Sequence, residues 1–256
     1  MVDQNIVSNL NKQADASNLV GMLENLAKQF PGKAVFTTSL GIEDQVITDM
    51  IFSNNLDIKV VTLDTGRLFE ETYKVLNRTL DKYGKQIHVY FPKHESVENM
   101  VTEKGPLSFY LSVENRKECC HIRKVEPLGR ALAGMECWIT GLRASQSENR
   151  HDLDFFVWDA GFQLIKCNPL LHWSLEDCQK YVKENNVPYN VLHDRGFVSI
   201  GCAPCTRAIQ PGEDFRAGRW WWEDNSKMEC GLHTHEESLI YPESPAQTES
   251  ERATAI

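Results

Sequence analysis

Four short runs rich in β-branched and aromatic residues, KAVFTTS, IKVVTLD, IHVYF and ECWITG, alternate with stretches of helical spacing. This alternation limits the chain to the α/β class more than any other feature. Strands joined through helices pair in parallel, and a parallel sheet must have both faces covered. The expected fold is therefore a mostly parallel, doubly wound sheet. Ahead of it, Leu19, Leu23 and Leu26 recur at helical spacing behind Ser17, which predicts an amphipathic helix over residues 17–30 with Ser17 as its cap. KAVFTTS leads through a Gly41 turn into a helix over residues 43–52. IKVVTLD ends at Asp64-Thr65-Gly66, before a helix running through Tyr73 and Leu76.

After Pro188 the character changes. GFVSIGCAPCTRAIQPGEDFRAGRWWWE has no sustained period and is crowded with Gly, Pro, Arg and Trp, as a segment that builds a site would be. Residues 1–222 are expected to form one α/β body, and residues 223–256 a mobile, acidic tail. The 256 residues, 41% of them hydrophobic, suffice for one large core. No apolar run approaches the ~18 residues of a membrane span, and MVDQNIVSNL is no secretory leader, so a cytoplasmic protein with no membrane partner is expected. Of the net charge of −9, the eight acids and two bases from Glu223 onward supply −6, which leaves −3 on the body. That balance argues against nucleic acid as a partner. It does not exclude a small anion held by local arginines.

Three regions carry candidate chemistry. The turns SLGIED and LDTGR each follow a strand and open toward a helix, where free N–H groups can meet an anion, or they are ordinary βα turns. In TGLRASQSENR, Arg143 and Arg150 flank a polar loop; they suit phosphate or sulfate, or they are solvated. Eight cysteines in a chain without a leader point to metal or redox chemistry rather than a disulfide framework. Cys137, Cys167 and Cys178 lie in apolar or helical patterns and read as packing residues. A CxxC such as Cys202/Cys205 serves as a redox dithiol, half a zinc site or half a cluster site. The adjacent Cys119-Cys120 favours an iron–sulfur cubane over zinc, because neighbouring thiolates can each take a separate iron. Lys124, four residues after Cys120, would then offer a cation one helical turn away. Cys230, in Glu229-Cys230-Gly231-Leu232-His233, sits in a hydrophilic tail and reads as a mobile thiol or as an incidental one.

Taken in order, KECCHIRKVEPL, GCAPCTRA, GEDFRAGRWWWE and ECGLH, with SLGIED, LDTGR and TGLR upstream, resemble the assimilatory adenosine 5′-phosphosulfate (APS) reductases, iron–sulfur type, within the wider APS and 3′-phosphoadenosine 5′-phosphosulfate (PAPS) reductase group. The likeness runs from about Thr37 to His233. It implies an adenine-nucleotide α-hydrolase-like, PP-loop-related fold with an iron–sulfur segment. It also implies a 4Fe-4S cluster on Cys119, Cys120, Cys202 and Cys205, and Cys230 as the nucleophile. Substrate contacts are implied at Lys124, Arg150, Arg216, Arg219, Thr38, Ser39, Asp44, Leu63, Thr65 and Gly141. The implied activity is thioredoxin-dependent reduction of APS to sulfite and AMP through an S-sulfocysteine, in sulfate assimilation for cysteine biosynthesis. PAPS is the alternative substrate, and a homo-oligomer is expected. Relatives with paired cysteines favour APS. The rival readings are an ATP-consuming PP-loop enzyme, which would want an SGGxDS-like loop that TSLGIED lacks, and a zinc-stabilised nucleotide-binding module.

Overall fold

The structure, a computed structural model, describes residues 4–146 and 153–223. Among the described residues, six strands form one sheet in the order β3-β2-β1-β4-β6-β5. The strands are β1 (Ala34–Thr38), β2 (Lys59–Leu63), β3 (His88–Tyr90), β4 (Cys137–Ile139), β5 (Phe156–Asp159) and β6 (Leu164–Cys167). All neighbours pair in parallel except β5 with β6, an antiparallel hairpin at one edge.

Successive side chains on a strand point to opposite faces, and the packing follows that alternation. Ala34 and Phe36, Val60, Cys137 and Ile139, and Ile165 and Cys167 join one cluster. That cluster includes Leu23 and Leu26 of α2 (Leu19–Gln29), Val46, Ile47 and Ile51 of α3 (Ile42–Ser53), and Cys178 and Val182 of α8 (Leu175–Glu184). Val35, Val61, Trp138 and Leu164 point the other way, onto Leu128, Ala131 and Leu132 of α7 (Glu126–Leu132). Both faces are covered, as the run of apolar strands requires. Helix α3 is buried along Ile42–Phe52 on every side, which makes it the axis of the first layer. Cys137, Cys167 and Cys178 have no exposed surface, and burial pushes the thiols of Cys137 and Cys178 up to about 12.

Two local expectations change. Helix α2 is capped by Asn18, which accepts from the Gly21 N–H at 2.9 Å, whereas Ser17 is drawn back onto Asp15 at 2.6 Å. The pattern around Cys119-Cys120 is not one regular helix. α6 (Val113–Cys120) passes into a π-helical turn (His121–Val125) before α7. A π turn widens the spiral, so the spacing of four between Cys120 and Lys124 is no longer one α-helical turn.

The remaining helices are α1 (Gln4–Gln13), α4 (Glu70–Tyr83) and α5 (His94–Lys104). A third apolar cluster joins Met100, Phe109, Cys119, Cys202, Cys205 and Trp220. It packs the segment after residue 197 against α5 and α6. The iron–sulfur segment expected as part of this fold is corrected below on the arrangement of its cysteines.

Candidate functional site

The chain leaves β1 toward β2 and β3 on one side and returns to β4 on the other, so a crevice opens beyond the carboxyl ends of β1 and β4. A cavity of about 260 Å³ lies there. Its floor is the turn after β1. Leu40 takes a left-handed φ of 62°, Gly41 opens α3 without any side-chain cap, and Gly41, Glu43 and Asp44 line the cavity. Asp44 curls back across this turn. Its Oδ2 accepts from the Ser39 N–H at 2.5 Å and from Ser39 Oγ at 2.6 Å. Burial pushes the Asp44 carboxyl up to about 7; the Ser39 bonds oppose this, and neighbouring Glu43 adds to it.

The turns after β2 and β4 close on the same point. Gly141 lies so close to Asp44 that a Cβ there would collide with Asp44 Oδ1, which explains a glycine in TGLR. Asp64 accepts from the Gly66 N–H at 2.8 Å and from Tyr73 Oη at 3.0 Å, which shapes the LDTG turn. Arg143 is not a solvated or ligand-seeking arginine. It is 2% exposed, and its Nε donates to Glu43 Oε1 at 2.9 Å, with Gln146 Nε2 donating to the same oxygen at 3.0 Å. It ties the β4 loop to α3.

The far wall comes from the π turn and from residues 198–219. Thr65 Oγ1 and Cys202 Sγ are 3.3 Å apart, Arg123 donates to the Thr65 carbonyl at 2.6 Å, and the Ala203 N–H donates to the Arg67 carbonyl at 2.8 Å. Thr206 and Arg219 form an isolated antiparallel bridge that sets Arg219 over Gly201, where a Cβ would strike the guanidinium. Burial works to raise the Cys202 thiol. Lys124, the Thr65 bond, Arg219 and Arg123 outweigh it and leave the thiol below its ordinary value.

Cys119, Cys120, Cys202 and Cys205 border one small space, together with Lys124 and Arg123. That space measures about 10 Å³, which is room for about one water molecule. Burial raises the thiols of Cys119 and Cys205, the latter to about 12. Among the described residues, no group of three or more His, Cys, Asp or Glu is arranged so that it could hold a metal ion. The residues present therefore do not fit a 4Fe-4S cluster. The expectations of an iron–sulfur type, an iron–sulfur segment and metal ligation by these four cysteines are corrected, and the zinc reading goes with them. Instead, the four thiols belong to the apolar cluster under Trp220.

Of the residues expected at a substrate, Thr38, Ser39, Asp44, Leu63, Thr65, Lys124, Gly141, Arg216 and Arg219 all line the larger cavity. Arg150 and Cys230 lie outside the described residues. The cavity also takes in residues that the sequence did not single out, notably His193, Phe215 and Trp138. Burial holds the His193 ring below its usual pKa, and its Nε2 has no hydrogen-bond partner among the described residues. No spacing announces such a histidine; only its place just ahead of GFVSIGC hints at it.

Among the described residues, no helix is long and apolar enough to cross a membrane. The phosphoadenosine phosphosulfate reductase domain matches residues 33–208. The adenosine 5′-phosphosulfate reductase of Agrobacterium fabrum is 49% identical, over 89% of this chain and 90% of that protein. That of Rhizobium meliloti is 52% identical, over 88% and 85%. Among solved structures, the phosphate complex of phosphoadenylyl-sulfate (PAPS) reductase from Candida auris superposes with a TM-score of 0.67 at 29% identity, covering 82% of this chain and 98% of that one. Matched by the domain over more than half its length, and by these relatives at about half of the aligned positions, the chain belongs to the phosphoadenosine phosphosulfate reductase domain family.

Proposed function

We infer that this chain reduces adenosine 5′-phosphosulfate to sulfite and AMP in sulfate assimilation, taking its electrons from a dithiol protein of the thioredoxin kind. The observation that carries this reading is the similarity, across nearly all of both chains, to proteins named for that reaction. The PAPS reductase from Candida auris is more distant, at 29% identity, which favours APS over its 3′-phosphorylated form as the substrate here.

The nucleotide lies in the cavity beyond β1 and β4, with the β1 and β4 turns on its nucleoside and Lys124, Arg216 and Arg219 on its phosphosulfate. In support of this placement, the cavity is lined by Thr38, Ser39 and Gly41 of the β1 turn and Gly141 of the β4 turn, and by the cations Lys124, Arg216 and Arg219. The Cys230 thiolate attacks the sulfur of the phosphosulfate. The S–O bond to the phosphate breaks, AMP departs with the bonding pair, and Cys230 carries the sulfonate. Charge growing on the departing phosphate is met by the arginines. A thiolate of the dithiol protein then attacks the Cys230 sulfur and releases sulfite. The second thiol of that protein resolves the mixed disulfide, so that it ends oxidised by two electrons and Cys230 returns to a thiol. Cys230 follows Glu223 by seven residues, a length that reaches at most about 25 Å when extended.

The test is sulfite release from APS and from PAPS with thioredoxin present, run beside Cys230→Ser. The wild-type protein with APS and no reductant should gain one sulfonate on the ECGLH peptide, and thioredoxin should remove it as sulfite. Cys230→Ser should bind APS yet form no adduct. Normal turnover by that variant, or a sulfonate mapped to Cys202 or Cys205, overturns the mechanism. No sulfite from APS overturns the function.

A further inference from the structure

Trp220 is 1% exposed and holds a left-handed backbone φ of 47°, a conformation that costs a bulky residue energy and persists only where its surroundings enforce it. Three guanidinium groups gather on its ring: Arg116 at 4.6 Å, Arg219 at 5.0 Å and Arg216 at 5.9 Å from the centroid. They differ in what else they meet. Arg116 is 2% exposed and makes a two-pronged ion pair with Glu223. Arg219 is 7% exposed; among the described residues it has no carboxylate partner, and its Nε makes no hydrogen bond. Arg216 and Arg219 both face the cavity.

A buried guanidinium without a counter-ion is costly, and the negative face of an indole is a preferred apolar surface for it. The local chain delivers that face. The Trp220 N–H donates to the Cys205 carbonyl at 3.3 Å, and the left-handed turn places the ring within reach of both arginines. Arg219 is thus held at the cavity wall by a ring on one side and the Gly201 backbone on the other, with its charge left for a ligand.

We propose that Trp220 is a positioning residue that holds Arg219 toward the phosphosulfate of the substrate. This rests on the reading of the cavity as the nucleotide site. The experiment measures AMP affinity by calorimetry for the wild type, Arg219→Ala, Trp220→Leu, Trp220→Phe, and each Trp220 variant combined with Arg219→Ala. Trp220→Leu should weaken AMP about five- to thirtyfold, and Trp220→Phe less, because it keeps a smaller aromatic face. In the Arg219→Ala background the same Trp220 change should cost severalfold less, because the two residues act as a unit. An equal loss in both backgrounds would mean that Trp220 merely fills the core, and it overturns the proposal. Should the leucine variant fail to fold, the cycle with phenylalanine decides by the same criterion. Wild-type AMP affinity in Arg219→Ala would instead overturn the placement of the nucleotide itself.

Discussion

Replacing Glu223 by alanine tests how much one buried ion pair contributes to stability. Arg116 Nε and Nη2 donate to the two Glu223 carboxylate oxygens at 2.9 and 2.8 Å, and the two side chains are 2% and 5% exposed. An exposed pair of this kind would contribute ~0–1 kcal/mol. A buried one behaves differently, because deleting one partner leaves the other charge out of water without its counter-ion, at a cost of about 3–5 kcal/mol. Against a total stability of about 5–15 kcal/mol this is a large share. For a chain of this size it corresponds to a fall in Tm of roughly 6–20 °C. Urea and thermal denaturation followed by circular dichroism would measure it. Replacing both partners, Arg116→Met with Glu223→Leu, should recover most of the stability. If Glu223→Ala melts within about 1 °C of the wild type, the buried pair does not stabilise the fold and the reasoning fails.

Arg219→Ala and Arg216→Ala should each weaken APS and AMP about ten- to hundredfold by calorimetry, as expected for loss of a charge-assisted contact; unchanged affinity in both would move the anion elsewhere. Gly141→Ala should force the β4 and β1 turns apart, lowering stability by about 1–3 kcal/mol in thermal melts and weakening AMP; a variant with wild-type Tm and affinity would show that the turns give way freely. Asp44 titrates near 7 in the folded protein against an ordinary 3.8, so the native state keeps a proton that the unfolded chain has already lost. Its contribution to stability therefore falls as pH climbs from about 4 to about 7 and stays low above that. Asp44→Asn should flatten this slope in urea titrations between pH 4.5 and pH 8; equal slopes for variant and wild type would refute it.

The parallel sheet was legible because its strands are buried on both faces and so read as apolar runs. The β5–β6 hairpin was not: FVWDAGFQLIKC alternates weakly, and Lys166 sits on a core position of β6, 4.6 Å from the Trp138 ring and 3.9 Å from Asp159. Capping by Asn18 rather than Ser17 turned on a competing bond to Asp15 that spacing alone does not show. At the site, the glycine-bearing turns could be read because close backbone approach selects glycine, as at Gly141. Arg143 could not be assigned from its neighbours in sequence, because its partner Glu43 is 100 residues away. The cysteines were the largest misreading. Adjacent and CxxC spacings describe what four thiols can do, whereas the size of the space between them, about 10 Å³, is a matter of tertiary packing that spacing does not show.

The cavity has a scaffold side and a wall side that are built differently. Thr38 and Leu63 end strands embedded in the sheet, whereas residues 198–219 belong to no extended ladder and are joined by an isolated bridge at Thr206 and Arg219 and by scattered single hydrogen bonds, such as Arg207 N–H to the Gly218 carbonyl at 2.9 Å. Amide protons of β1 and β2 should therefore exchange only through global opening, and those of Ala203, Arg207 and Arg219 through local opening at much lower free energy. A ligand clamped between the two sides adds its binding energy to the weaker one. Its presence would be written as slowed exchange along the wall, with the strands almost unchanged.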